Sequence, residues 1–275
     1  MNKINSFPQA LTIAGTDSGG GAGIMADMKT MQECRVFATA VVVAVTAQNT
    51  VGVQNFQALS EEIINDQFSS LNDDLEIRAC KSGMLADADH VDWVYQNLDK
   101  YDFGPFVLDP VMIAKGGAQL LSDQGIEMIK TKLIKLATLI TPNMPEAERL
   151  IDDKIESQSG MLIAAQKIQK LGAKNVLIKG GHGDSETVRD LVLLEDGNYF
   201  WMDSKRVHTD RTHGTGDTIS SAIVSRLALG DDMRSAILFG KDFVEKAIKN
   251  TIQVGHGHGP LNHWAYNLEQ NKNAI

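Results

Sequence analysis

Short apolar runs alternate with segments of helical periodicity along almost the whole chain, and this alternation constrains the fold more than any other feature. Ala10 to Gly15, Thr39 to Thr46, Ile77 to Lys81, Phe106 to Leu108, Thr138 to Ile140 and Asn175 to Lys179 are strand-length runs with few charges. Between them, Ile24 to Cys34, Glu61 to Leu71, Asp89 to Leu98, Ile126 to Leu136 and Met161 to Leu171 read as helices, the first carrying Ile24, Met28 and Met31 at helical spacing. Strands joined by helices run parallel and need cover on both faces. The pattern therefore predicts an α/β three-layer sandwich, with a mostly parallel central sheet and helices on both faces. Leu191 to Leu194 and Asn198 to Met202, split by Glu195-Asp196-Gly197, predict a hairpin, and helices Thr218 to Leu229 and Met233 to Ile252 follow. The 275 residues contain no repeat and no Pro- or Ser-rich linker, so one domain over 1–275 is expected.

In such a sheet, ligands collect at the carboxyl ends of the strands. Asp17, Gln48, Lys81, Asp109, Asn143 with Glu146, and Lys179 all fall just past a strand end in this reading, and so converge on one edge. The turn His213-Gly214-Thr215-Gly216-Asp217-Thr218 belongs there too, since it opens onto the apolar-periodic run Ile219, Ala222, Ile223, Leu227. The first N–H groups of a helix lack intrahelical partners and lie at the positive end of its dipole, so this turn suits an anion. A carboxylate beside a bound phosphate is repelled unless a metal or a transferable proton intervenes, and that conflict points to chemistry. In phosphoryl transfer to an alcohol, Gly214, Thr215 and Gly216 would hold the moving charge while Asp217 orients the hydroxyl and takes its proton. The alternative is that Asp217 and Thr218 merely cap a helix. Asp109 and Glu146 would be hard oxygen ligands for Mg²⁺, directly or through water, unless each only caps the helix after its strand.

Composition and the remaining motifs exclude several classes. The formal charge is −9, against the basic face that nucleic acid or an acidic membrane would require. No signal-like or membrane-spanning run is present, and the two cysteines, Cys34 and Cys80, are too few for a disulfide framework or zinc cluster, so a reducing, cytoplasmic setting is expected. Gly21-Ala22-Gly23-Ile24-Met25-Ala26 matches the dinucleotide-binding fingerprint, but the second strand ends at Gln48, where a ribose-binding enzyme needs Asp or Glu. No P-loop and no protein-kinase motif set occurs. Gly255-His256-Gly257-His258-Gly259 suggests a glycine turn over a metal site, since alternating glycines order no ligand backbone.

Taken together, the segments Leu-Thr-Ile-Ala-Gly-Thr-Asp-Ser (11–18), Gly-Gly-Ala-Gly-Ile (20–24), Ala-Asp-Met-Lys-Thr (26–30), Thr-Ala-Gln-Asn-Thr-Val-Gly-Val-Gln (46–54), Lys-Ser-Gly-Met-Leu (81–85), Leu-Asp-Pro-Val-Met (108–112), Thr-Pro-Asn-Met-Pro-Glu-Ala (141–147), Lys-Gly-Gly-His (179–182) and Thr-His-Gly-Thr-Gly (212–216) carry a resemblance. The chain resembles hydroxymethylpyrimidine/phosphomethylpyrimidine kinases of thiamine biosynthesis, within the ribokinase-like superfamily. The resemblance implies 4-amino-5-hydroxymethyl-2-methylpyrimidine and its monophosphate as substrates, MgATP as donor, and a homodimer. It implies that Gln48 hydrogen-bonds the aminopyrimidine and that Gly15, Asp17, Ala22, Met84 and Val111 shape the pocket. Asn143, Lys179, Gly181 and His213 would contact ATP, Asp109 and Glu146 the Mg²⁺, and Ala114 to Ala118 would form a mobile cover. One position departs from the family pattern: Asp217 stands where Cys is usual, as it does in ribokinase and non-bacterial pyridoxal kinases. A vitamin B6 kinase is therefore the alternative, and a catalytically silent binding protein of the same fold a third reading.

Overall fold

The computed structural model describes residues 4–113, 120–181 and 185–267. Among the described residues, nine strands form one sheet in the order β3-β2-β1-β4-β5-β6-β7-β8-β9. β1 (Gln9–Gly15), β2 (Phe37–Asn49), β4 (Ala79–Ser82), β5 (Phe106–Leu108), β6 (Leu139–Ile140) and β7 (Asn175–Ile178) are mutually parallel. β3 (Gly52–Ala58) adds to β2, and β8 (Thr187–Leu193) with β9 (Tyr199–Lys205) adds to β7, all antiparallel.

Successive strand residues feed opposite layers, the two-residue period of a pleated strand buried on both sides. Leu11, Ile13, Phe106, Leu108, Val176 and Ile178 pack with Ile64 and Phe68 of α2 (Glu61–Asp74), Val91 and Val94 of α3 (Ala88–Lys100), and Ile168 of α7 (Gln158–Leu171). Ala10, Val107, Leu139 and Leu177 pack instead with Met31 of α1 (Gly23–Glu33), Ile219 and Ile223 of α8 (Thr215–Ala228), and Ile237 and Val244 of α9 (Met233–Lys249). The segment read as one helix from Ile126 begins earlier: α4 (Asp123–Met128) continues through a π-helical turn, Ile129–Leu133, into α5 (Ile134–Leu136). Short α6 (Met144–Ile151) follows β6.

Two expectations are corrected. β3 was not foreseen, because it presents no buried face; Val51, Val53 and Phe56 are exposed, so no alternation marks it. The hairpin is set by Asn49, whose side-chain oxygen accepts from the Val51 and Gly52 N–H groups. On α1, Met28 faces solvent, and the buried stripe is Ile24, Ala26, Asp27, Thr30 and Met31. A buried carboxylate there is tolerated because tertiary partners meet it, as described below. Among the described residues no helix is long and apolar enough to cross a membrane. The expected cover, Ala114 to Ala118, lies outside the described residues.

Candidate active site

The strand ends on one edge of the sheet bring the site residues around the first turn of α8. Gly214 is the N-cap of that helix, with φ +81°, and no side chain caps the turn. A Cβ on Gly214 would run into the Gly21 carbonyl oxygen, so the glycine is required by local packing as well as by its backbone angle. Asp217 is the third helical residue and makes no capping bond, while the Thr218 hydroxyl reaches the buried His263 ring at 3.2 Å. Among the described residues, neither side chain makes a capping hydrogen bond. A Cβ on Gly216 would stand 3.1 Å from Asp109 Oδ2 and 3.5 Å from Lys179 Nζ, so the turn opens directly onto that pair.

Behind Asp217 lies a buried cluster. Lys81, within β4 and not past its end, donates to Asp27 Oδ1 at 2.8 Å and stands 3.8 Å from Asp217 Oδ1. Asp27 also accepts from Thr12 Oγ1 at 2.5 Å and from Ser221 Oγ at 2.6 Å. Burial works against the Lys81 ammonium, but Asp27, Asp217 and Asp109 outweigh it and hold its pKa above the ordinary lysine value. Asp217, 16% exposed, is pushed up to about 6 by burial, with Lys81 opposing the rise and Asp27 and Asp109 adding to it. Asp27 was not singled out from the sequence. The available signal was an acid on a helix face otherwise small and apolar.

Ahead of the turn, Lys179 donates to Asp109 Oδ1 at 3.0 Å, and Thr141 Oγ1 donates to the same oxygen at 3.1 Å. Among the described residues nothing bonds Asp109 Oδ2, the oxygen nearest Gly216. Glu146 and Asn143 form a reciprocal capping box on α6, with Glu146 Oε2 accepting from the Asn143 N–H at 2.8 Å and Asn143 Oδ1 from the Glu146 N–H at 2.9 Å. Burial pushes the Glu146 carboxyl up to about 7, Lys179 opposing and Asp109 reinforcing. Glu146 is thus a cap with a perturbed charge. Asn143 is bridged to Lys179 backbone to backbone, and Gly181, exposed, accepts at its carbonyl from Arg206 Nη1 at 3.0 Å.

The third group is a loop. Asp17, 2% exposed, accepts from the N–H groups of Gly19, Gly21 and Ala22 at 2.8, 3.0 and 2.9 Å, and its Oδ2 lies 3.1 Å from His213 Nε2. Burial opposes its charge, but the bonds from His213, Gly19 and Gly21 hold it below the usual carboxylate range. The glycine run therefore wraps a carboxylate instead of a pyrophosphate, which disposes of the dinucleotide reading. Asp17 acts through the loop, since its oxygens are occupied. His213, expected at the nucleotide, is instead bracketed by Asp17 and by the Gln48 amide, 3.0 Å from its Nε2. Ser18 Oγ accepts from the Gln48 N–H at 2.8 Å and donates to the Gln48 carbonyl at 2.6 Å. Gly15 donates its N–H to the Met84 carbonyl at 3.1 Å, and a Cβ on Gly15 would collide with the Met84 methyl. Val111, half-buried, closes a tight turn onto the Asp109 carbonyl at 2.9 Å. The histidines do not converge: among the described residues no three His, Cys, Asp or Glu side chains are placed to hold a metal.

A mostly parallel sheet carrying an acid on a glycine turn between two lysine–carboxylate clusters defines a ribokinase-like phosphotransferase of small molecules. The sequence pattern of the family described as phosphomethylpyrimidine kinase matches residues 17–262. A hydroxymethylpyrimidine/phosphomethylpyrimidine kinase of Haemophilus influenzae is 48% identical over 266 residues, 96% of this chain and 99% of that one. Among solved structures, an ADP complex of Bacillus subtilis pyridoxal kinase is similar with TM-score 0.88 at 34% identity, over 96% of this chain and 100% of that one. A phosphomethylpyrimidine kinase from Clostridium difficile 630 gives TM-score 0.78 at 39% identity, over 90% and 100%. The chain belongs to the phosphomethylpyrimidine kinase family, and it is an enzyme, a kinase.

Proposed function

We propose that the protein transfers the γ-phosphoryl group of ATP to the hydroxymethyl group of 4-amino-5-hydroxymethyl-2-methylpyrimidine, and then phosphorylates the resulting monophosphate, in thiamine biosynthesis. The observation that carries this reading is Asp217, a partly buried carboxylate free of any capping bond at the head of α8, between Lys81 and the Asp109–Lys179 pair. The curated relative at 48% identity, named for the pyrimidine, favours it over the vitamin B6 alternative suggested by the pyridoxal kinase neighbour at 34%.

In the first transfer, Asp217 accepts a hydrogen bond from the substrate hydroxyl. The hydroxyl oxygen forms its bond to the γ-phosphorus as the bridging bond to ADP breaks, and the hydroxyl proton passes to Asp217. The open N–H groups of the Gly214-Thr215-Gly216 turn lie where negative charge moves, at the positive end of α8. Lys179 stays cationic, because Asp109 and Glu146 outweigh the burial that disfavours its charge, and so neutralises phosphate. Gln48 reads the heterocycle, and Gly15, Asp17, Ala22, Met84 and Val111 shape its pocket. Asn143 and Gly181 serve the nucleotide.

Mg²⁺ fits these donors as an ion shared with the nucleotide. Asp109 Oδ2 is a hard oxygen facing the turn, and Glu146, already accepting from the Asn143 N–H, suits contact through water. Such an ion supplies charge neutralisation on the phosphates. A cytoplasmic location agrees with two buried free thiols, Cys34 and Cys80. Two copies of the chain form the assembly, a contact supported by the exposed apolar side chains Val45, Val51, Val53 and Phe56 on the β2–β3 hairpin. Sedimentation tests that point.

The function is tested by following ATP consumption with the hydroxymethylpyrimidine, its monophosphate and pyridoxal supplied separately. The highest kcat/KM is expected with the pyrimidines. A higher value with pyridoxal overturns the assignment.

A further inference from the structure

We propose that His213 is a positioning residue that locks the Gln48 carboxamide in one orientation, and thereby determines which heterocycle the site accepts. The proposal rests on the reading of Gln48 as the group that faces the substrate ring.

One ring nitrogen has two polar neighbours. His213 Nε2 lies 3.1 Å from Asp17 Oδ2 and 3.0 Å from the side-chain nitrogen of Gln48. An imidazole nitrogen carries either a proton or a lone pair, and these two neighbours ask for opposite states. The carboxylate can only accept, while an amide nitrogen can only donate. A bare Nε2 would set its lone pair against a buried carboxylate oxygen. A protonated Nε2 gains a charge-assisted hydrogen bond, roughly twice as strong as a neutral one. Asp17 cannot turn away, because three backbone N–H groups of its own loop hold it. The proton therefore sits on Nε2.

An amide NH₂ 3.0 Å from that N–H would be donor against donor. A half turn of the amide exchanges its nitrogen and oxygen at no steric cost. With Oε1 toward the ring, the amide shares the Nε2–H with Asp17, and its NH₂ turns outward. The main chain of Gln48 has no comparable freedom, since Ser18 Oγ bonds both its N–H and its carbonyl. The half turn is the remaining choice, and His213 makes it.

The consequence is an ordered pair of groups at the ring: a donor from NH₂ and an acceptor from the second lone pair of Oε1. A 4-aminopyrimidine presents a ring nitrogen that accepts and an exocyclic N–H that donates, which matches that order. The corresponding 4-oxo ring presents a ring N–H and a carbonyl, the reverse order. A free amide would accommodate either by flipping. A locked one rejects the oxo ring, because buried polar groups would then face their own kind.

The test compares kcat/KM for the aminopyrimidine and for 5-hydroxymethyl-2-methylpyrimidin-4-one, in the wild type, His213→Phe and Gln48→Leu. The wild type should prefer the amino ring by about 10²-fold or more. In His213→Phe, which keeps a flat ring against Gly21, the ratio should fall by at least about tenfold through a gain on the oxo ring, with KM for ATP unchanged. A wild-type ratio in His213→Phe, with the ratio lost in Gln48→Leu, overturns the lock alone. A wild-type ratio in Gln48→Leu overturns the reading of Gln48 and the lock with it. Should His213→Phe fail to fold, the ¹⁵N spectrum of the wild-type ring decides: a protonated Nε2 supports the lock, and a bare Nε2 overturns it.

Discussion

Burial places the Asp217 carboxyl at about 6, so the proposed base titrates within the range where activity is measured. Only the carboxylate can take the hydroxyl proton, so kcat should fall as pH drops through about 6 and level off above it. Asp217→Asn keeps the shape and removes the basicity; kcat is expected to fall by about 10²–10⁴-fold with little change in KM for ATP. Turnover at the wild-type rate would send the search for the base elsewhere. Asp217→Cys, which restores the residue usual in the family the chain resembles, should retain more activity than Asp217→Asn. At Gln48 the expected effect is on recognition. Gln48→Leu leaves the partner groups of the ring unpaired and should weaken pyrimidine use by about 1–3 kcal/mol in kcat/KM, leaving ATP binding intact. An unchanged KM for the pyrimidine would show that the amide does not meet the ring.

The head of α8 depends on two glycines for different reasons, and substitution separates them. Gly214 sits at positive φ against the Gly21 carbonyl, so Gly214→Ala strains the backbone and displaces a neighbouring loop. Both the melting temperature and kcat should drop. At Gly216 the atoms nearest a methyl group are side-chain atoms of Asp109 and Lys179 and not backbone, so Gly216→Ala should melt near the wild-type temperature while losing activity. Equal melting losses in the two variants would contradict this division. On α6, Glu146→Gln preserves the capping box, because an amide oxygen also accepts from the Asn143 N–H. It removes only the charge, so a higher Mg²⁺ concentration should be needed for half-maximal rate. An unchanged Mg²⁺ titration would leave Glu146 as a cap alone.

For the whole molecule, the perturbed acids tie stability to pH. Glu146 rises from 4.5 to about 7 on folding, so between those values the folded state binds the extra proton. Its contribution to stability is therefore greatest below about 4.5 and declines as pH rises through about 7. Glu146→Gln should flatten that decline in denaturant unfolding measured from pH 4 to 8, and an identical slope would refute the linkage. Lys81 and Asp27 are both fully buried, so Lys81→Met strands a carboxylate and should cost about 3–5 kcal/mol of stability. The central strands were legible from sequence because burial on both faces leaves a nearly continuous apolar run, as in Ala10 to Ala14. β3 was not, because neither face is buried and nothing selects a pattern. The sequence by itself determined the parallel α/β sheet, the edge where its polar residues gather, and the glycine turn at Gly214 to Gly216. Local periodicity and motif spacing carry that much. Only the tertiary structure decided that Lys81 pairs with Asp27, that His213 meets Asp17 and Gln48, and that Glu146 caps α6. Hydrogen bonds are short and directional, so the partner of a buried polar group is chosen by where the packed layers bring it, often across more than a hundred residues of chain.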